Sequence, residues 1–244
     1  MSALVEPHRP WLIESLPLEA TPSYPGWLAD LIGEPPEPVA SELKSRDFLF
    51  LTEEAIGDRS EVMAAAEHVI DQEPSVSAVV RAVVAEIYLL GAREEYDVSH
   101  SEPRWPGWIF VSAPPAAGLV SGLRLAENVL HETMHLQLSE LEARIPLVAD
   151  TASKLYSPWK QEPRQLQGIL HGLYVCACIS AYFRDLLSAG EIAQEGIGHV
   201  RRRIDSIGEE VASVAIDSLR HGLTEAGKGF LESISRAERR LCRP

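Results

Sequence analysis

Between Leu119 and Arg144 the apolar residues Leu123, Ala126, Val129, Leu130, Met134, Leu138 and Leu141 recur at spacings of three and four. With Pro114 and Pro115 ahead of the segment and Pro146 behind it, this period predicts one long helix. A second apolar stretch, QLQGILHGLYVCACISAYF over 165–183, also reads as helix. The pattern predicts further helices over Ala40–Glu54, Ser60–Asp71 and Ser75–Leu90, the last turning Val79, Val80, Val83, Ile87 and Leu90 inward. Two amphipathic helices are predicted over Glu191–Leu219 and Thr224–Arg240, with basic edges at Arg201, Arg202, Arg203, Arg239 and Arg240. Trp108–Ser112, rich in β-branched and aromatic residues and bounded by Pro106 and Pro114, is the best strand. Residues 1–39 are broken up by Pro7, Pro10, Pro17, Pro22, Pro25, Pro35, Pro36 and Pro38, which leaves room for at most a short helix near Trp27–Ile32. The expected fold is mainly α: a proline-rich arm, 1–39, anchored by Trp11 and Trp27 on a single helical domain, 40–244, with a minor β element.

The long helix carries chemistry. His131 and His135 stand as H-E-x-x-H in ENVLHETMHLQL, one turn apart on one face, so two imidazoles can converge on one metal ion. Glu132 is rotated by roughly 100° from His131 about the helix axis, which suits an outer-sphere carboxylate better than a third ligand. Such a motif arises by chance in roughly one chain in a hundred of this size, so a helical context and a third donor are needed. The remaining histidines are His8, His68, His100, His171, His199 and His221, and of these His171 alone lies in an apolar helical stretch with small neighbours, Gly168 and Gly172. Glycine in a helix costs about 1 kcal/mol against alanine, so a pair of them points to close approach by another group. His171 is therefore read as the third ligand, with a hydrogen-bonded core histidine as the alternative; for His100, in the SHSEP turn, the core reading leads. The expected metal site lies between the two core helices. Glu127, one turn before His131, reads either as an acceptor for its ring N–H or as a solvated helix residue.

Three stretches, HSEPRWPGWIFVSAP, AENVLHETMHLQLSEL and SPWKQEPRQLQGILHGLYVCACISAYF, resemble the signature blocks of the HExxH-motif peptide-modification proteins. These are iron(II)- and 2-oxoglutarate-dependent peptide β-hydroxylases found beside ribosomal natural-product precursors. The resemblance covers 95–187 and implies iron on His131, His135 and His171, 2-oxoglutarate near Arg164, and hydroxylation of a β-carbon in a ribosomally made peptide. The chain departs from the family at Gln165, where members carry proline, and many members are longer, which implies that peptide-docking segments are absent here or come from a partner.

Ligand type alone leaves the ion open, because three imidazoles suit zinc, iron, copper or nickel. In a zinc metallopeptidase Glu132 would be the general base on a metal-bound water, and the Trp108–Ser112 strand would align a peptide edge to edge. In an iron oxygenase Glu132 orients an imidazole or a bound water, and no base is required. Arg164 favours the second reading: its guanidinium fork suits the distal carboxylate of a 2-oxo acid, and it precedes His171 by seven residues, which puts it on the same face if the helix extends that far, with Pro163 in its first turn. Lys160 and Arg184 are weaker substitutes. Trp159 is expected to pack the pocket wall beside the cofactor.

Composition sets outer bounds. The chain has 244 residues with 45% apolar and 24% charged, enough for a sizeable core. Its 22 basic against 36 acidic residues leave a formal charge of −14, which opposes nucleic acid and anionic membrane and would attract a basic peptide. Three cysteines, Cys176, Cys178 and Cys242, form no disulfide framework, and Cys176 and Cys178 point to different sides of their helix and read as core. With no charged-then-apolar start and no run of eighteen apolar residues, the expected location is the cytoplasm.

Overall fold

The structure, a computed structural model, describes residues 9–13, 16, 24–91 and 97–241, with side chains as far as 236. His8, Cys242 and the side chains of Arg239 and Arg240 thus lie outside the described part, as do residues 1–8, 14, 15 and 17–23 of the proline-rich arm. The chain divides into two compact units, Leu18–Leu136 and Met1–Pro17 with Gln137–Pro244, and the division falls inside one helix. Each is described by itself, the first as the sheet unit and the second as the helical unit.

The sheet unit contains α1 (Trp27–Asp30), α2 (Glu37–Lys44), α3 (Glu53–Gly57), α4 (Ser60–Asp71) and α5 (Pro74–Val83), then β1 (Glu86–Gly91), β2 (Ser99–Ser101) and β3 (Trp108–Ala113), and α6 (Leu119–Arg144) as far as Leu136. β3 runs between a parallel β1 and an antiparallel β2. Tyr88, Leu90 and Phe110 share one sheet face with Val39 and Leu43, closed over by Phe48, Phe50, Val98, Trp105 and Trp108. Tyr88 and Phe110 stack with centroids 5.1 Å apart. Since side chains alternate along a strand, Ile87, Leu89, Ile109 and Val111 form the opposite face, and all four are buried as well.

A strand covered on both faces reads as a continuous apolar run, and that corrects one expected helix. The inward stripe of Ser75–Leu90 belongs to two elements. α5 stops at Val83, Val84 is extended, the N–H groups of Ala85 and Glu86 donate to the Gly107 carbonyl at 2.8 and 3.2 Å, and Ile87 to Leu90 continue as β1. The expected Ala40–Glu54 helix is also broken. α2 ends at Lys44, Asp47 takes a left-handed φ of 64°, Phe50 bridges to Leu90, and α3 restarts behind Thr52, whose Oγ1 accepts from the Ala55 N–H at 3.3 Å. α4 and α6 have the bounds expected of them. Trp27 is buried in α1, its Nε1–H donating to the Asp71 carboxylate at 3.2 Å and Arg81 lying 5.3 Å over its ring.

The helical unit is built on α7 (Leu166–Ala189), preceded by the hairpin β4 (Lys154–Ser157) and β5 (Glu162–Gln165) and followed by α8 (Gln194–Ala212), α9 (Ile216–His221) and α10 (Glu225–Leu241). The expected Glu191–Leu219 helix is two, parted at Ser213–Ala215. α7 is long and apolar enough to cross a membrane by composition, yet 83% of its most apolar window is buried, as befits a core helix. Cys176 and Cys178 are among its buried residues. Tyr174 ties the core to the rest of the unit: its hydroxyl donates to Gln137 Oε1 at 2.6 Å, while Gln137 Nε2 donates to the carbonyl of buried Trp11 at 3.0 Å. Burial holds the Tyr174 hydroxyl well above the usual tyrosine range. The architecture is mainly α, with two small sheets among the described residues.

Candidate metal centre

In the sheet unit, α6 meets the sheet through hydrogen bonds to β2 and β3. Asn128 Nδ2 donates to the Ser112 carbonyl at 3.2 Å, and Gly122 permits the approach to α4, where an added Cβ would stand 2.6 Å from the Ala65 Cβ. The helix period then sorts the motif. His131 and His135 stand on the partly exposed side with ring centroids 4.9 Å apart, the His131 side chain being 36% exposed. Glu132, turned from them, is buried with 3% exposure. Its Oε2 accepts from Ser101 Oγ at 2.6 Å, and its Oε1 lies 3.8 Å from His131 Nε2.

Ser101 reaches Glu132 through sheet register. It pairs with Ile109 in the antiparallel ladder, which sets its side chain on the same face as Ile109, while His100 pairs with Phe110 and faces the aromatic cluster. His100 is held there by Glu102 at 2.8 Å and by rings of Phe48 and Phe110, in keeping with the core role expected of it. Burial pushes the Glu102 carboxyl up, but donation from Arg104, Arg46 and His100 outweighs it and holds the group at about 2.

A carboxylate as deeply buried as Glu132 is costly without positive charge beside it. One hydrogen bond from a neutral hydroxyl offsets only part of that cost. A divalent cation on the two neighbouring imidazoles would supply the rest, and imidazole pairs suit zinc, iron, copper and nickel alike. The donor set of α6 therefore fits a transition-metal ion. Among the described residues no three His, Cys, Asp or Glu side chains form a ready metal-binding group.

In the helical unit His171 is buried on α7, and its Nε2 lies 2.9 Å from Glu142 Oε2 on the last turns of α6. Gln167 Nε2 donates to the same oxygen at 2.6 Å. Gly172 is the site of a close approach: a Cβ there would stand 2.5 Å from the Trp159 ring, so the six-membered ring of the indole lies against α7 one residue past His171. Trp159 Nε1–H is buried without a hydrogen-bond partner among the described residues. Trp159 thus packs on α7.

Arg164 is placed otherwise than expected. It belongs to β5, opposite Leu155, and α7 begins only at Leu166, so the seven-residue helical offset to His171 does not hold. The guanidinium Nη1 donates to Glu162 at 2.9 Å, and the side chain is 48% exposed. Even so it runs beside the first turn of α7, with its Nε 3.9 Å from the Cβ position of Gly168, and Gln165 caps that turn with no side-chain hydrogen bond. A carboxylate there would meet a guanidinium together with unsatisfied helix N–H groups. Lys160 is exposed in the hairpin turn, and Arg184 Nε donates to Ser180 Oγ at 3.2 Å.

Three partners were not foreseen: Ser101, Glu142 and Gln167. Gln167 leaves a trace in sequence, standing four residues before His171 on one helix face, whereas the pairing of Glu142 with His171 joins two elements and leaves none. Ser101 leaves none. No protein-family model matches the chain, and no curated protein matches it.

Proposed function

We propose that the protein is an iron(II)- and 2-oxoglutarate-dependent oxygenase that hydroxylates a β-carbon of a residue in a ribosomally made peptide, acting in the cytoplasm. The observation that carries this reading is the state of Glu132. Its carboxylate is turned into the sheet and tied to Ser101, the posture of a group that orients a neighbouring imidazole rather than of one free to take protons from a nucleophilic water. The strand that would have aligned a peptidase substrate also argues against hydrolysis, because β3 is central, with both edges already paired.

In this reading His131 and His135 hold iron, with His171 as the third ligand implied by the resemblance. Iron and the 2-oxo acid supply oxidative decarboxylation coupled to hydroxylation. The chain itself binds and orients: Arg164 takes the distal carboxylate in place of Glu162, Trp159 excludes water along α7, and Glu132 stands beside the His131 ring as an outer-sphere carboxylate. A precursor peptide is the partner, its basic residues drawn by the formal charge of −14.

Anaerobic titration with iron(II) and 2-oxoglutarate tests the proposal. A visible charge-transfer band of the chelated 2-oxo acid is expected, lost in His131→Ala and His135→Ala, and requiring on the order of ten- to a hundredfold more 2-oxoglutarate in Arg164→Lys, which keeps charge but loses the fork. Glu132→Gln should retain metal and part of the turnover. No band, with zinc bound and peptide hydrolysis abolished by Glu132→Gln, would replace the oxygenase by a metallopeptidase.

A further inference from the structure

The hairpin ahead of α7 has two outer edges, and they differ. In its ladder Leu155 stands opposite Arg164, Tyr156 opposite Pro163 and Ser157 opposite Glu162. Proline has no N–H, so the hydrogen bonds between the strands run through the Leu155–Arg164 and Ser157–Glu162 pairs. The backbone N–H and C=O groups of Lys154 and Tyr156 then point away from β5. On the opposite edge Pro163 offers no donor, which blunts β5 against pairing. The outer edge of β4 has no such block, and among the described residues no backbone group pairs with it.

The side chains follow the same alternation. Arg164 runs beside the Cβ position of Gly168, so the face it shares with Leu155 and buried Ser157 looks onto α7. Lys154 and Tyr156 project from the other face, and Tyr156 is 59% exposed. The hairpin is also locally basic. It carries Lys154, Lys160 and Arg164 against Glu162 alone, and Glu162 is engaged by Arg164 at 2.9 Å. Among the described residues no ion pair engages Lys154 or Lys160. Asp150, just before β4, turns its carboxylate back onto the N–H groups of Ala152 and Ser153. An edge lysine disfavours most strands but favours an acidic one, while a second copy of this chain, with its formal charge of −14, is repelled.

We propose that the outer edge of β4 takes an extended acidic peptide as a third strand, with a carboxylate side chain beside Lys154 and an apolar one beside Tyr156. The backbone groups of Lys154 and Tyr156 supply the attachment, and the two side chains supply the selection. Because neighbours on one face are two residues apart, the recognised pattern is an acidic and an apolar residue separated by one position. The inference is independent of the chemistry assigned to His131 and His135.

The test uses the full chain and acetylated, amidated peptides built on the repeats Glu-Thr-Val-Thr and Lys-Thr-Val-Thr, the first also made with N-methyl groups on every glutamate and valine. Calorimetry at low salt should show the plain glutamate peptide binding about tenfold or more tightly than the other two, and more weakly as salt is added. Hydrogen exchange should slow at the N–H groups of Lys154 and Tyr156 on binding, with little change at Leu155, which is already paired. Lys154→Glu should weaken binding by about tenfold at an unchanged melting temperature. Tyr156→Pro, which removes the outward donor as Pro163 does on β5, should abolish it, and Lys154→Glu carries the test if the proline variant does not fold. Equal binding of the three peptides, wild-type affinity in Lys154→Glu, no protection at Tyr156, or no binding by the wild-type chain would each overturn the proposal. Self-association of the chain that disappears in Tyr156→Pro would assign the edge to a second copy and overturn the acidic peptide as its occupant.

Discussion

Two glycines on the same helix, four residues apart, offer a clean measurement of how closely Trp159 rests on α7. An added Cβ at Gly172 would stand 2.5, 2.6 and 3.0 Å from three carbons of the indole, whereas one at Gly168 would meet Arg164 at 3.9 Å. Carbon atoms rest at about 3.5–4.0 Å, so Gly172→Ala requires the ring to retreat by roughly 1 Å, while Gly168→Ala requires nothing. Overpacking of this kind costs about 1–3 kcal/mol. Both substitutions gain helix propensity of up to about 1 kcal/mol, so that gain cancels to first order in the comparison between them. Gly168→Ala should therefore raise stability slightly, and Gly172→Ala should fall below it by about 1–3 kcal/mol, which in a chain of this length is about 2–12 °C in melting temperature. Circular-dichroism melts of both variants measure the gap, and repeating them in a Trp159→Ala background closes the cycle, where the gap should shrink to under about 0.5 kcal/mol. A Gly172→Ala protein that melts with Gly168→Ala or above it would refute the close packing of Trp159 against the helix.

A second glycine contact tests the sheet unit: Gly122→Ala would bring a Cβ to 2.6 Å from the Ala65 Cβ and 3.0 Å from its backbone carbonyl carbon, so α4 itself must shift. The variant should melt below wild type by about 1–3 kcal/mol, and an unchanged melting temperature would dissolve the α4–α6 contact. Acid stability offers a third check, because the Glu102 carboxyl sits at about 2 against an ordinary 4.5. A depressed carboxyl stabilises the fold above its unfolded value, and that contribution is lost as the pH falls from about 4.5 towards 2. Glu102→Gln should flatten the fall of melting temperature across that window, and an identical slope in the variant would show that the ion cluster of Arg46, His100 and Arg104 does not couple to folding.

The elements that were legible in sequence share one property. α4 and α6 carry a single uninterrupted period, and α6 is bounded by prolines, so the bounds follow from local chemistry. Ser75–Leu90 misleads because the stripe of α5 runs into a strand buried on both faces, and three or four apolar residues in a row satisfy a helical period as well as a strand. Arg164 misleads for the opposite reason. Its strand and β4 are short and largely exposed, so no alternation announces them, and the seven-residue offset to His171 has no helix to act through.

The same division runs through the candidate site. That His131 and His135 share a face, and that Glu132 is rotated off it, follows from 3.6 residues per turn, and the structure has that arrangement. What Glu132 meets on the other side does not follow from its helix at all. Ser101 lies 31 residues away and arrives through the pairing of β2 with β3, where a shift of one residue would put its hydroxyl on the aromatic face and His100 beside the carboxylate. The motif alone is compatible with hydrolysis and oxygenation, and the group that separates them is the partner of the glutamate. A free carboxylate serves as a base and a tethered one as a support. Under the proposed reading, the role of Glu132 in this H-E-x-x-H rests on strand register, a long-range property that no reading of α6 by itself contains.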